Sequence, residues 1–155
     1  MMDQPTCQTD AASGNPFREM AFACVPALVL AIAFLALAGH RKDYLGHYAA
    51  GFGATLAALL VTDWTAFAGE RPRGRPLVLV ALCLACVGGG AFLEATIFRL
   101  AVFDEVDFFN QSLGAALAGL AVLRLPGGQR PGTRLAGLSA AGLFVIAGVW
   151  FAFAR

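Results

Sequence analysis

Five apolar runs, each about twenty residues long, are the feature that most constrains this chain. They cover about residues 20–39, 45–68, 76–98, 107–124 and 134–154. At about 1.5 Å per helical residue, each run is long enough to cross a hydrocarbon core of about 30 Å. The sequence therefore predicts an all-α fold, an integral membrane bundle of five transmembrane helices.

The composition agrees with an embedded chain. Hydrophobic residues make up 59% of the 155 residues and charged residues only 14%, against about half and about a quarter in soluble domains. We expect the polar, turn-rich residues 1–16 to form a disordered tail and residues 17–155 to form a single transmembrane domain. The net charge of +1 and the lack of a basic stripe give no indication of nucleic acid binding.

The cysteines and histidines predict no metal site and no cofactor. Cys24, Cys83 and Cys86 lie in apolar runs, where small packing residues are expected, and Cys7 lies in the tail. Cys83 and Cys86 have the spacing of a redox motif but not the polar surroundings that activate a thiolate. Neither histidine lies near a cysteine in sequence.

Lys and Arg residues near the helix ends predict the orientation in the membrane. One side carries seven of them: Arg18, Arg71, Arg73, Arg75, Arg124, Arg130 and Arg134. The other side carries four: Arg41, Lys42, Arg99 and Arg155. We therefore predict a cytoplasmic N-terminus and a C-terminus on the outer, periplasmic side. Asp63, near the cytoplasmic end of the second helix, is expected to pair with the arginine-rich loop beside it.

The second helix begins, the third ends and the fourth begins on the non-cytoplasmic side of the membrane. A group of polar residues at these helix ends therefore lies at the same depth. The group consists of His47, Glu94, Asp107, Asn110 and Gln111. A carboxylate in a lipid-facing segment costs roughly 2.5–3.5 kcal/mol on insertion scales, so Glu94 must turn inward to a partner or to water. Arg99 and His47 are the nearest candidate cations. We therefore treat Arg99 and this polar group as candidate ligand-binding residues.

On each of these three helices, the polar residues end a stripe of small residues on one helix face. The stripes are His47, Gly51, Ala54 and Ala58; Cys86, Gly90 and Glu94; and Asp107, Gln111, Gly114 and Ala118. Small residues let membrane helices approach closely. We expect Gly51, Gly90 and Gly114 to be packing residues, with the polar residues meeting in a pocket open to the outer surface. The first and fifth helices, richer in Leu, Phe and Val, are predicted to lie outside this core.

Several of the polar residues also have a purely structural interpretation. Asp107 lies where a helix N-cap belongs. Asn110 or Gln111 could serve solely to stabilise the first turn of the same helix. His47 could be an interfacial histidine. Glu94 is harder to explain structurally, because it lies roughly 6 Å inside the helix end at the helical rise per residue.

Three short motifs stand in order at the helix ends: Asp43-x3-His47, then Glu94, then Asp107-x3-Gln111-x2-Gly114. Over about residues 41–120, their order and positions resemble the VanZ-like membrane proteins. Tyr44, Ile97 and Gln111 stand where that family usually has Lys, Gln and Asn. The resemblance implies the inner membrane of a bacterial cell, an envelope role linked to low-level resistance to the glycopeptide teicoplanin, and no established enzymatic activity.

Three functions are compatible with these residues. The first is binding of a lipid head group or envelope precursor in the polar pocket, with membrane lipids as partners. The second is an accessory or structural subunit, whose polar cluster only staples helices two to four. The third is an intramembrane hydrolase with His47 as base, for which Ser112 is the only serine close to the cluster in sequence. Ser112 lies off the polar face and no nucleophile turn precedes it, so the sequence favours binding over catalysis. The sequence gives no indication of a protein partner.

Overall fold

Five long helices form the whole described part of the protein. The computed structural model describes residues 15–39, 41–67, 73–96, 104–126 and 129–153. The helices are α1 (Pro16–Ala38), α2 (Lys42–Ala66), α3 (Arg75–Thr96), α4 (Glu105–Arg124) and α5 (Pro131–Phe153). All five are long and apolar enough to span a membrane, which confirms the predicted all-α bundle of a multi-pass membrane protein. Residues 1–14 of the predicted tail lie outside the described residues.

Capping residues start the helices slightly earlier than the apolar runs do. The side chain of Asn15 accepts a hydrogen bond of 3.0 Å from the backbone amide two residues on, and Pro16 opens α1. On α4 the cap is Asp104, whose Oδ1 accepts from the amides of Val106 and Asp107 at 2.8 and 3.2 Å. The N-cap interpretation of Asp107 is therefore wrong. Asp107 lies in the first turn, and its carboxylate faces a neighbouring helix instead.

α2 is the central helix of the bundle. In its spanning stretch 61% of the residues are buried, against 11% in α3. It contacts all four other helices, most extensively α4 and α5. α2 and α4 run parallel and meet at two of the predicted packing glycines. Gly51 lies against the backbone of Gln111, and Gly114 lies against the backbone of Tyr48.

The predicted placement of the helices outside the core is wrong for α5. α5 packs closely along α2, whereas α3, among the described residues, contacts only α2 and α4. A Cβ atom added at Gly46, Gly53 or Gly148 would lie 2.5–2.6 Å from backbone atoms of the facing helix. The sequence interpretation followed stripes that end in a polar residue. The stripe on α5 has no polar end, so its small residues were overlooked.

A buried ion pair ties the helices together at the end opposite His47. Arg75 at the start of α3 donates from Nε to Asp63 Oδ1 at 2.6 Å and from Nη2 to Oδ2 at 3.1 Å. The same Nη2 donates to the carbonyl oxygen of Val122 at 3.2 Å, and Gln129 Nε2 donates to Asp63 Oδ2 at 3.2 Å. Asp63 and Arg75 are only 4% and 7% exposed. The prediction that Asp63 pairs with the arginine-rich loop is confirmed.

Replacing Gly148 with alanine should destabilise the bundle, because the new Cβ would lie 2.5 Å from the backbone nitrogen of Ala50. Overpacking of this kind costs about 1–3 kcal/mol. Gly142 on the same helix has open space around it, so Gly142→Ala should leave stability unchanged or raise it by up to about 1 kcal/mol. Thermal unfolding in detergent measures both variants. Equal midpoints would contradict the close packing of α5 on α2.

Replacing Arg75 with methionine should lower the free energy of unfolding by about 3–5 kcal/mol, because it leaves the Asp63 carboxylate buried without its cation. The pair of Arg41 and Asp43, with Nη2 and Oδ2 2.9 Å apart, is the matched control because both side chains are exposed. Arg41→Met should leave the unfolding midpoint almost unchanged. If Arg75→Met unfolds like the wild type in chemical denaturation, the buried pair does not hold the helices together.

Candidate functional site

A cavity of about 560 Å³ lies among α2, α3, α4 and α5, at the end of the bundle where α2 and α4 begin. Four of the predicted ligand-binding residues line it: His47, Glu94, Asp107 and Gln111. The rest of the lining is mainly glycine and alanine with a few larger apolar side chains. The volume is in the range of sites that hold a small molecule or the head of a larger one.

The parallel run of α2 and α4 brings His47 and Asp107 together. Their first turns start at the same end of the bundle, and His47 Nε2 lies 3.3 Å from Asp107 Oδ2. The other carboxylate oxygen, Oδ1 of Asp107, is buried and has no hydrogen-bond partner within the described segments. A buried carboxylate oxygen without a donor is costly. Asp107, a residue that lines the cavity, therefore holds one buried acceptor without a donor in the described part of the chain.

Gly90 on α3 leaves space for the side-chain amide of Gln111. A Cβ atom at Gly90 would collide with Nε2 of Gln111, so the amide lies directly over the α3 backbone. Glu94, one turn further along α3, is partly buried on the same side of the cavity. Its carboxylate makes no hydrogen bond or ion pair with any residue in the described ranges. Glu94 is therefore a second acceptor that is available to a ligand.

Two predicted residues are not part of this cavity as described. Asn110 is buried on α4 but does not line the cavity, and its Nδ2 has no hydrogen-bond partner in the described part of the chain. Arg99 lies outside the described residues. Ser112 donates its hydroxyl hydrogen to the carbonyl oxygen of Phe108 at 2.7 Å and does not line the cavity. The hydrolase hypothesis therefore loses the serine that it relied on.

The sequence interpretation missed the contribution of α5. Gly148, Val149, Ala152 and Phe153 form the α5 side of the cavity. The signal that could have found this side is the Gly148-x3-Ala152 spacing, because small residues four apart mark a packing face on a membrane helix.

The polar end of the cavity offers more acceptors than donors. Glu94 and Asp107 contribute carboxylates, Gln111 contributes an amide, and His47 contributes an imidazole that already lies against Asp107. A ligand group that donates hydrogen bonds, such as an ammonium, a hydroxyl or an amide, complements this set. Hydrogen bonds of this kind to a carboxylate are about twice as strong as bonds between neutral groups.

Comparisons with models of protein families, with curated proteins and with solved structures find no match for this chain. A functional assignment therefore depends on the cavity and its polar residues.

The contact between His47 and Asp107 should appear as an energetic coupling between α2 and α4. In a double-mutant cycle of His47→Ala and Asp107→Ala, we expect the two effects on unfolding free energy to differ from additivity by about 1 kcal/mol. Thr65→Ala, at the far end of α2, should be additive with His47→Ala. Denaturant unfolding in detergent measures the cycle. Additive effects for the His47 and Asp107 pair would show that the contact carries no energy.

Proposed function

We propose that this is a VanZ-like protein of the bacterial inner membrane, whose cavity binds the polar head of an envelope lipid or cell-wall precursor. The observation that carries the proposal is a cavity of about 560 Å³ whose polar end holds acceptors without a hydrogen-bond partner among the described residues. These acceptors are the carboxylate of Glu94 and the buried Oδ1 of Asp107. Structural clusters satisfy their own polar groups. A cluster that leaves acceptors unpaired beside an open space is typical of a binding site.

The chemistry of the cavity favours a head group with a cationic or hydroxyl part. Glu94 and Asp107 would accept its hydrogen bonds, and the amide of Gln111 can both donate and accept. Arg99 remains a predicted contact for an anionic part of the same head group. The excess of Lys and Arg at the opposite end of the bundle supports placing the cavity at the non-cytoplasmic leaflet.

The motifs that resemble the VanZ-like proteins acquire distinct roles under this proposal. His47, Glu94, Asp107 and Gln111 line the cavity. Asp43 instead pairs with Arg41 at the surface, and Gly114 packs on the α2 backbone. The motif thus combines binding residues with the contacts that hold α2 and α4 in place. An envelope role related to glycopeptide resistance follows from the resemblance as part of the proposal.

A structural or accessory role is the second candidate, favoured by the same contacts between helices. The 3.3 Å contact of His47 with Asp107 links α2 to α4, and the amide of Gln111 over Gly90 links α4 to α3. In that case the cluster would only staple α2, α3 and α4. Changes at His47 or Gln111 would then alter stability and protein level without altering any bound molecule.

Replacing the unused acceptors should remove the bound head group. We expect Glu94→Gln and Asp107→Asn each to reduce the lipids retained by the purified protein about tenfold, because each loses a charge-assisted hydrogen bond of about 1.5–3 kcal/mol. Mass spectrometry of lipids that stay bound after detergent exchange gives the measurement.

The neighbouring amides on α4 provide a matched control for this experiment. Gln111→Leu removes a polar group that lines the cavity, whereas Asn110→Leu changes a buried amide away from it. Only Gln111→Leu should lower lipid retention. If all four variants retain the wild-type lipids at the wild-type level, the binding proposal fails and the structural role stands.

A further inference from the structure

We propose that the ligand enters the cavity sideways from the bilayer, between α3 and α5, and keeps its hydrocarbon chain in that opening. The inference rests on the proposed function and specifies the class of ligand. The ligand is a membrane-resident amphiphile with a hydrogen-bond-donating head group, rather than a solute that arrives from water.

The opening follows from how the four helices around the cavity pack. α2 and α4 pack closely on each other and so close one side of the cavity. α3 and α5 both line it, but in the ranges that the structure describes they do not contact each other. α3 contributes Gly89 and Leu93, and α5 contributes Val149 and Phe153. The space between these two helices is therefore not closed by helix packing.

Residues at this opening reach the outer surface of the bundle. Leu93, Val149 and Phe153 line the cavity and are also 43%, 51% and 75% exposed. Their neighbours Phe92 and Trp150 are large, apolar and exposed as well. In a protein that spans a membrane, an exposed apolar surface of this kind lies against lipid chains. The opening therefore faces hydrocarbon and not water.

The lining changes from polar to apolar with depth, as the shape of an amphiphile requires. Glu94, Asp107 and His47 lie near the helix ends, at the level expected for head groups. Cys86, two helical turns further into α3 than Glu94, lies about 12 Å deeper at the helical rise. The deeper lining carries small side chains that are mainly apolar, with the hydroxyl of Thr55 among them. A chain held there would lie parallel to the chains of the surrounding bilayer.

Two neighbouring glycines on α3 allow a direct test. An added Cβ atom meets nothing within 4 Å at either Gly88 or Gly89, so both positions have open space where a side chain begins. Gly89 lines the cavity, whereas Gly88 does not. Gly89→Phe should therefore place a ring in the space for the hydrocarbon chain. Gly88→Phe adds the same ring to the same helix away from the cavity and is the matched control.

The probe is phosphatidylethanolamine with a photoactivatable diazirine in one acyl chain, in nanodiscs that contain the full chain. Bulk lipid labels the exposed Leu93 and Val149 in every variant, so their adducts serve as the internal standard. After irradiation, peptide mass spectrometry should find adducts at Thr55 and Cys86, which line the deeper cavity, in the wild type and in Gly88→Phe. In Gly89→Phe these adducts should fall about tenfold. Unchanged adducts in Gly89→Phe, while Glu94→Gln loses its lipids, would overturn the lateral site and leave the proposed function standing.

Two further outcomes separate the lateral site from the function on which it rests. If water-soluble phosphoethanolamine binds the wild type as tightly as the lipid probe, the hydrocarbon chain contributes nothing and the inference fails. If Glu94→Gln, Asp107→Asn and Gly89→Phe all bind like the wild type, the proposed function fails together with it. Thermal unfolding of each variant identifies any that has lost its fold, and Gly89→Leu, with a smaller side chain, then replaces Gly89→Phe.

Discussion

The close approach of α2 to two neighbours at once is the constraint on which the rest of the structure depends. Lipid chains are as apolar as leucine, so membrane helices associate through close packing rather than through the hydrophobic effect. Gly51 on one side of α2 brings its backbone against α4, and Gly46 and Gly53 on another side bring it against α5. α3 can then pack only beside α4 and the edge of α2. The cavity lies among these four helices, and α3 and α5 do not contact each other across it in the described ranges.

The carboxylates at the two ends of the bundle differ in how completely their oxygens are hydrogen-bonded. Asp63 accepts three hydrogen bonds, two from Arg75 and one from Gln129, and so is fully neutralised within the protein. Asp107 has only the contact with His47, and one of its oxygens has no partner among the described residues. A buried ion pair whose carboxylate is fully paired has a structural role, whereas a carboxylate oxygen without a donor retains capacity for another molecule. The end with Asp63 therefore stabilises the bundle, whereas the end with Asp107 is the one suited to binding.

The sequence predicts the spans and the polar cavity residues, because both follow from simple physical rules. Apolar runs of membrane length give the five helices, and the alternating direction of the crossings brings Glu94 to the level of Asp107. Helix neighbours are harder to predict, since they depend on which small faces meet. The small face of α5 carries no acidic, amide or histidine side chain and therefore gives no signal of this kind. The capping role was also misplaced, because Asp104 and Asp107 are both acidic residues near one helix start, and only backbone geometry distinguishes them.

The central position of α2 also has a consequence for how the protein is made. α2 leaves the ribosome before α4 and α5, yet these two helices are its principal neighbours. Until α4 and α5 are synthesised, the glycine-rich faces of α2 and the carboxylate of Asp63 lack their final partners. Each helix must therefore be stable in the membrane on its own before the helices assemble. Only the arrival of α5, the last helix of the described chain, completes the surroundings of the second.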